Sequence, residues 1–325
     1  MTRVSVVAPC RNEATTIDRL LGALAAQTAP PDEVIIVDDG STDDTAARAM
    51  AWADRLPVRV VPGPCRGVAA ALNTGIAAAS GALIARCDGH SWPDPGYLAA
   101  AREAIDADPA IGIVGGVWRI VPGDQTAEAA AIAGVVSHPI GSGGAAYRHR
   151  PPASPQEVDT VPFGVFTRAR WAALGGYDER LGANEDYDFN ERVRRDGGRV
   201  VLHPALRSTY CARSTLSALA RQYSRYGYWK RQMVRRDPTS VRLRQRVASS
   251  VVPVLTGGLL GAALGWPLAS VVPIGYGLIV LIAAVQVATR AQRAALLLPA
   301  MAAILIVHNC WSGGWWVGTV TRPRA

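Results

Sequence analysis

The sequence predicts an α/β domain on a mostly parallel sheet, followed by a basic segment and a helical membrane anchor. Three observations carry that expectation. Short apolar runs alternate with helix-like stretches over the first 120 residues. Polar and charged residues collect directly after those runs. Two long uncharged stretches close the chain.

The apolar runs are continuous rather than alternating, as strands covered on both faces require. Val4 to Ala8 is the first, and Thr15 or Thr16 stands where it can cap the helix that follows. Val34 to Val37 is the second; it ends in Asp38-Asp39-Gly40-Ser41, with a helix expected from about Asp43. Val58 to Val61 is the third, followed by an Ala-rich helix from about Gly67. Leu83 to Ala85 is the fourth, and Ile111 to Val117 a later one. Sheets of this kind bind ligands at the carboxyl ends of their strands. Arg11, Asn12 and Glu13, then Asp38 and Asp39, then Asp88 and His90 all fall at such ends.

From about 120 to 206 the pattern is less regular. Gly141-Ser142-Gly143-Gly144 reads as a flexible loop, and Pro151, Pro152 and Pro155 punctuate another. Val161 to Phe166 reads as a strand and Gly175 to Glu179 as a turn. Residues 184–198 read as a helix entered at Asn184 and stopped by Gly197-Gly198.

Net charge is +8, unevenly placed. Residues 207–246 carry ten Arg, one Lys and one acid, while residues 1–206 sum to −6. Such a basic run often marks nucleic-acid contact. Here it precedes 43 uncharged residues before Arg290, and 28 more separate Arg293 from Arg322. A spanning helix needs about 20 apolar residues. Two spans therefore fit at about 248–268 and 271–289, and one at about 295–318. A buried helical hairpin in a soluble core is the alternative. On the membrane reading the basic run is a cytoplasmic flank that meets lipid and excludes nucleic acid. Arg290 and Arg293 then lie inside, and Arg322 and Arg324 outside. From Leu216, the residues Leu219, Tyr223, Tyr226 and Met233 recur at helical spacing, as in a basic amphipathic helix at a membrane interface. A helix packed on the catalytic domain, with its basic face solvated, has the same pattern. The five cysteines form no CxxC pair, which indicates neither a zinc site nor a disulfide framework. The N-terminal apolar run is too short for a signal-peptide core.

The ordered segments VVAPCRNE, VIIVDDGSTDDT, LNTGIAAASG, DGH, GGYDE and NEDYDF resemble the family 2 glycosyltransferases of GT-A fold. The stretches VPFGVFTRARWAALGGYDERLGANEDYDFNERVRRDGG and LARQYSRYGYWK are similar to the membrane-anchored glucosyltransferases of succinoglycan-type exopolysaccharide assembly. The resemblance implies an inverting enzyme that uses a nucleotide-diphosphate sugar with Mg²⁺ or Mn²⁺. It implies a donor site at Pro9, Arg11, Glu13, Asp39, Arg66 and Asp88. Within it Asp39 would take the base N–H and Glu13 the ribose; Arg66 stands either at the diphosphate or in solvent. Asp38 either joins the donor site or caps its own turn.

By the same resemblance Asp88 and His90 occupy the positions of the family's Asp-x-Asp metal motif. His90 is then either a direct ligand or an imidazole behind the metal. An imidazole suits Mn²⁺ and softer metals better than an all-oxygen set does. Inversion needs a base for the acceptor hydroxyl, and the Asp of NED, Asp186, matches it. Asn184, Glu185 and Asp186 also suit a helix N-terminus on their own account. Glu185, Gln222, Arg225 and Tyr226 match the acceptor and diphosphate elements, with Tyr226 where the family has Trp.

The expected division is 1–210 catalytic, 211–246 basic and interfacial, and 247–325 anchor with about three spans. The expected protein is a multi-pass enzyme of the cytoplasmic membrane with its catalytic domain inside. It would move a hexose, UDP-linked on this reading, to a lipid-linked saccharide. A polyprenyl-phosphate sugar synthase and a non-catalytic nucleotide-sugar-binding scaffold are the alternatives.

Overall fold

The computed structural model describes residues 2–149, 151–321 and 323; Arg322 and Arg324, expected outside, lie beyond the described residues. The elements are β1 (Val4–Cys10), α1 (Ile17–Ala25), β2 (Glu33–Asp38), α2 (Thr45–Met50), β3 (Val58–Pro62), α3 (Val68–Ala78), β4 (Leu83–Arg86) and β5 (Ser91–Pro93). Then come α4 (Tyr97–Ala107), β6 (Ile111–Val121), α5 (Ala127–Val136), α6 (Pro139–Ser142), β7 (Gln156–Glu157), β8 (Val165–Thr167), α7 (Arg168–Ala173) and α8 (Glu185–Arg195). β9 (Arg199–Cys211), α9 (Leu216–Arg236), α10 (Leu243–Ala263), α11 (Val271–Arg290) and α12 (Leu297–Val320) complete the chain.

The chain forms two compact units, residues 1–119 with 149–210, and residues 120–148 with 211–325. In the sequence division residues 120–148 belonged to the catalytic part and 211–246 stood alone. Both instead join the C-terminal helices, because the apolar faces of α5 and α9 are covered there.

The sheet order is β3-β2-β1-β4-β8-β6-β9-β5, with β7 on β9. β1 to β4 are parallel, with Val6 opposite both Val34 and Ala85. β8 then runs antiparallel to β4, and β6 antiparallel to β8. Six of the seven β1 residues are buried, as a strand covered on both faces requires, and the one buried polar side chain among them, Ser5, donates to Glu33. Leu20, Leu21 and Leu24 of α1 and Leu98 and Ala101 of α4 cover one face and join the core. β3 is the edge strand, only half-buried, and ends in Pro62, which an edge tolerates.

Three local expectations are corrected. Phe163 adopts φ +48°, so the run from Val161 is not extended until Val165. Gly141 and Ser142 belong to α6, which Pro139 starts; the left-handed turn is confined to Gly143 and Gly144. Thr16 occupies the start of α1 but caps nothing; its hydroxyl bonds Glu13 instead.

The second unit contains the three helices that are long and apolar enough to cross a membrane: α10, α11 with its preceding turn, and α12 with its own. α9 packs along α12. Leu219, Tyr223 and Met233, expected to face lipid, are buried inside this unit. Glycines on both helices let the two backbones touch, so the apolar stripe is covered by protein.

Candidate active site

β2, β1 and β4 lie side by side and parallel, so the loops after Cys10, Asp38 and Arg86 emerge at one edge. The first two are tied together. Asn12 N–H donates to Ser41 Oγ at 3.0 Å, and Thr42 N–H donates to Asn12 Oδ1 at 2.8 Å. Asp38 Oδ1 accepts the Ser41 N–H at 3.0 Å, so this carboxylate caps its own turn. Asp39 is buried; its oxygens accept the N–H groups of Cys65 at 2.7 Å and Gly67 at 3.2 Å. Pro9 pairs with Val37 inside the sheet. Arg11 is exposed. Arg66 forms an exposed ion pair with Glu179 at 3.1 Å.

Residues 88–91 form a tight turn: Ser91 N–H donates to the Asp88 carbonyl at 3.0 Å, and Asp88 N–H to Ser91 Oγ at 3.1 Å. This turn carries two polar side chains in fixed directions. His90 Nδ1 lies 2.8 Å from Glu13 Oε1. A carboxylate acceptor at Nδ1 favours the tautomer with its proton there, which leaves Nε2 as the nitrogen that can offer a lone pair. Thr16 donates to the other Glu13 oxygen at 2.6 Å, and the His90 ring meets Tyr210 edge-on at 5.7 Å. Glu13 is thus placed to orient His90.

Asp88 leads to a residue that the sequence motifs did not single out. Arg86 is buried at the end of β4. Its Nε donates to Asp88 Oδ1 at 3.2 Å and its Nη2 to Glu185 Oε1 at 2.9 Å. Its guanidinium also lies 5.8 Å from the centre of the Tyr177 ring. Burial opposes the charge on Arg86, but Asp88 and Glu185 outweigh it and hold its proton more firmly than usual. Nη1 is buried without a hydrogen-bond partner among the described residues. A cation closing an apolar run just before an acidic turn was the available signal. Glu185 is buried against Arg86.

α8 starts at Glu185. Asn184, at φ +65°, makes no side-chain cap, so the capping role open to it is unused. Asp186 is partly buried and accepts the N–H of Tyr187 at 2.7 Å. Asn190 donates to the Asp186 carbonyl at 2.6 Å, fixing this first turn. Burial, then the neighbouring Glu185 charge, push the Asp186 carboxyl up to about 6, although Arg86 works against them. Cys10, in contrast, is buried among Glu13 and Asp88. Burial first and those charges second raise its thiol well above the ordinary range, which makes it an inert neutral group.

No group of three or more His, Cys, Asp or Glu is arranged to hold a metal among the described residues. Asp88 and His90 supply one carboxylate and one imidazole. That donor set fits an ion that takes its remaining oxygens from a phosphate ligand. Gln222, Arg225 and Tyr226 lie on α9 in the second unit, where Gln222 Nε2 donates to the Tyr226 hydroxyl at 2.9 Å.

The model of the family described as glycosyl transferase family 2 matches residues 5–150. The chain is 29% identical over 316 residues to the succinoglycan biosynthesis protein ExoA of Rhizobium meliloti, covering 96% of this chain and 93% of that one. It is 31% identical over 198 residues to an uncharacterized glycosyltransferase of Mycobacterium bovis, covering 61% of this chain and 82% of that one. Among solved structures, a mannosyltransferase from Pyrobaculum calidifontis, in complex with GDP-Man and Mn²⁺, superposes with a TM-score of 0.60. The identity is 23%, over 96% of this chain and 87% of that one, a likeness of fold.

Proposed function

Because the chain belongs to glycosyl transferase family 2 and has the GT-A fold, we propose that it is an inverting hexosyltransferase of exopolysaccharide or cell-envelope glycan assembly. It moves a hexose from a UDP-sugar to a lipid-linked saccharide at the cytoplasmic face of the cell membrane. The similarity to ExoA along nearly the whole chain supports the pathway class. The three apolar helices support the membrane location.

The observation that carries the chemistry is the first turn of α8 with its buried arginine. Asp186 is the base that takes the proton of the attacking hydroxyl. With its carboxyl near 6 it is ionised at neutral pH, yet more basic than an ordinary aspartate. Arg86 fixes Asp88 and Glu185 on either side of it. Asp39 accepts a base N–H with the lone pairs left after its two backbone bonds, and Pro9, Arg11 and Arg66 complete the donor cleft. Asp88 and His90 Nε2 would hold Mn²⁺ or Mg²⁺, with Glu13 behind His90. Such an ion, when bound, neutralises charge on the leaving diphosphate. Gln222, Arg225 and Tyr226 serve the acceptor and its diphosphate.

The test is transfer by the full-length protein in membranes, with a panel of nucleotide sugars and both lipid-linked saccharide and bare polyprenyl phosphate as acceptors. Product on the saccharide lipid is expected. Product only on polyprenyl phosphate would make the chain a phosphate-glycosylating synthase. Donor binding without product on either would leave a binding scaffold.

A further inference from the structure

Counting apolar stretches places the end of the chain across the bilayer from α9. The contacts within the second unit point to another path. α9 runs beside the last part of α12 in the same direction. Ser224 lies against Gly314, Gly227 against Trp311 and Trp315, and Tyr228 and Arg231 against Gly318. A Cβ added at Gly314 would stand 2.1 Å from the Ser224 carbonyl oxygen, and one at Gly227 would stand 1.9 Å from that of Trp311. Small residues permit such backbone contact. Polar bonds lock the end of the pair. Arg231 Nε donates to Thr319 Oγ1 at 3.1 Å, Gln232 Nε2 to the Gly318 carbonyl at 3.0 Å, and Arg235 to the Thr321 carbonyl at 2.9 Å. α9 carries Arg221, Arg225, Lys230, Arg231, Arg235 and Arg236 and no acid. A helix so charged does not run through hydrocarbon. Only four residues, 212–215, link it to β9.

The path of α10 agrees. Lys230 Nζ donates to the Ser240 carbonyl at 3.0 Å, which holds the start of α10 close to α9. The Ser249 carbonyl accepts from Ser312 Oγ at 2.8 Å and Trp316 Nε1 at 2.9 Å, near the end of α12. The far half of α10 meets the start of α11: Gly258 faces Val272, and Gly261 faces Ala269. α11 and α12 pair as an antiparallel hairpin. Tyr276 OH and His308 Nδ1 lie 3.1 Å apart, on either side of the turn at 291–296. The start of α11 and the end of α12 therefore share one end of the hairpin, and α10 reaches from one to the other.

We infer that α10 lies in the lipid interface on the side that carries α9, that α11 and α12 enter the bilayer as one hairpin, and that the end of α12 returns to that same side. The occupant of the exposed apolar surface of α10 is the bilayer itself. On α10 Leu243, Val247, Leu259 and Leu260 are all more than half exposed, and so are Leu264, Trp266 and Leu268 in the turn that follows it. That composition suits acyl boundary and headgroup depth.

The experiment uses the full chain with an epitope appended at its C-terminal end or inserted after Gly265, each form first checked for native size in detergent. Protease is added to sealed inverted and right-side-out vesicles. Both epitopes should be cut in inverted vesicles, together with the catalytic unit, and spared in right-side-out ones. Cleavage of the terminal epitope from the outside would overturn the return of α12. Cleavage of the Gly265 epitope from the outside, or its protection in both preparations until detergent is added, would overturn the interfacial placement of α10.

Discussion

Replacing Asp186 by Asn should weaken catalysis and strengthen the fold at once. In the folded chain this carboxyl keeps its proton up to about pH 6, against an ordinary value of 3.8. That difference corresponds to at most about 3 kcal/mol in favour of the protonated form. The folded-state value is the higher one, so stability falls as pH rises from about 4 to about 6 and stays reduced above that. An amide carries no such penalty. Because the group is partly open, the expected gain at pH 8 is about 1–3 kcal/mol, shrinking to nothing near pH 4. At about 2–4 °C per kcal/mol for a domain of this size, several degrees of unfolding midpoint are at stake. Transfer should drop about 10²–10⁴-fold, the usual contribution of a general base. Wild type and Asp186→Asn are compared for nucleotide-diphosphate release and for thermal unfolding at pH 5, 6, 7 and 8. Near-normal turnover in the variant refutes the base assignment. A stability difference that does not change with pH refutes the electrostatic reasoning.

Arg86→Met should destabilise the protein by about 3–5 kcal/mol by stranding buried Glu185, and adding Glu185→Leu should recover much of that loss in chemical unfolding. Equal instability of the single and double variants would show that Arg86 is not there to answer that charge. Glu13→Gln should raise the Mn²⁺ requirement of transfer about 10–100-fold by loosening His90, and His90→Ala should raise it at least as far. Unchanged metal titrations would remove both from the metal site. Gly314→Leu should cost about 1–3 kcal/mol or more by prying α9 from α12, read as a lower unfolding midpoint in detergent. An unaltered midpoint would mean that the two backbones do not touch.

The parallel half of the sheet was legible because unbroken runs such as Val34 to Val37 can be buried on both faces only there. The shared edge of Glu13, Asp39 and Asp88 followed from the same logic, since strand ends in a parallel sheet point one way. β9 was not legible. Its 13 residues include Pro204 and the basic or polar Arg199, His203, Arg207, Ser208 and Thr209, and its pairing with β5 and β7 comes from distant segments. Arg86 was passed over because a cation closing an apolar run before an acidic turn does not by itself name both partners; Asp88 and Glu185, 2 and 99 residues away, explain it. The face of α9 was legible as apolar, but periodicity is silent on what covers an apolar face. Lipid and the glycine path of α12 demand the same stripe.

The close packing of α9 on α12 around Gly227 and Gly314 also sets an order of events during synthesis. The two positions are 87 residues apart. At about 5–20 residues per second, the basic helix leaves the ribosome roughly 4–17 s before its partner exists. For that interval Tyr223 can reach Gly141 and Arg148, which are already made, but the part of the stripe that α12 covers has no protein to lie against. A chain cut short ahead of Gly314 would never leave that waiting state. Its exposed stripe would mark it for removal even though every residue of the catalytic unit had been made.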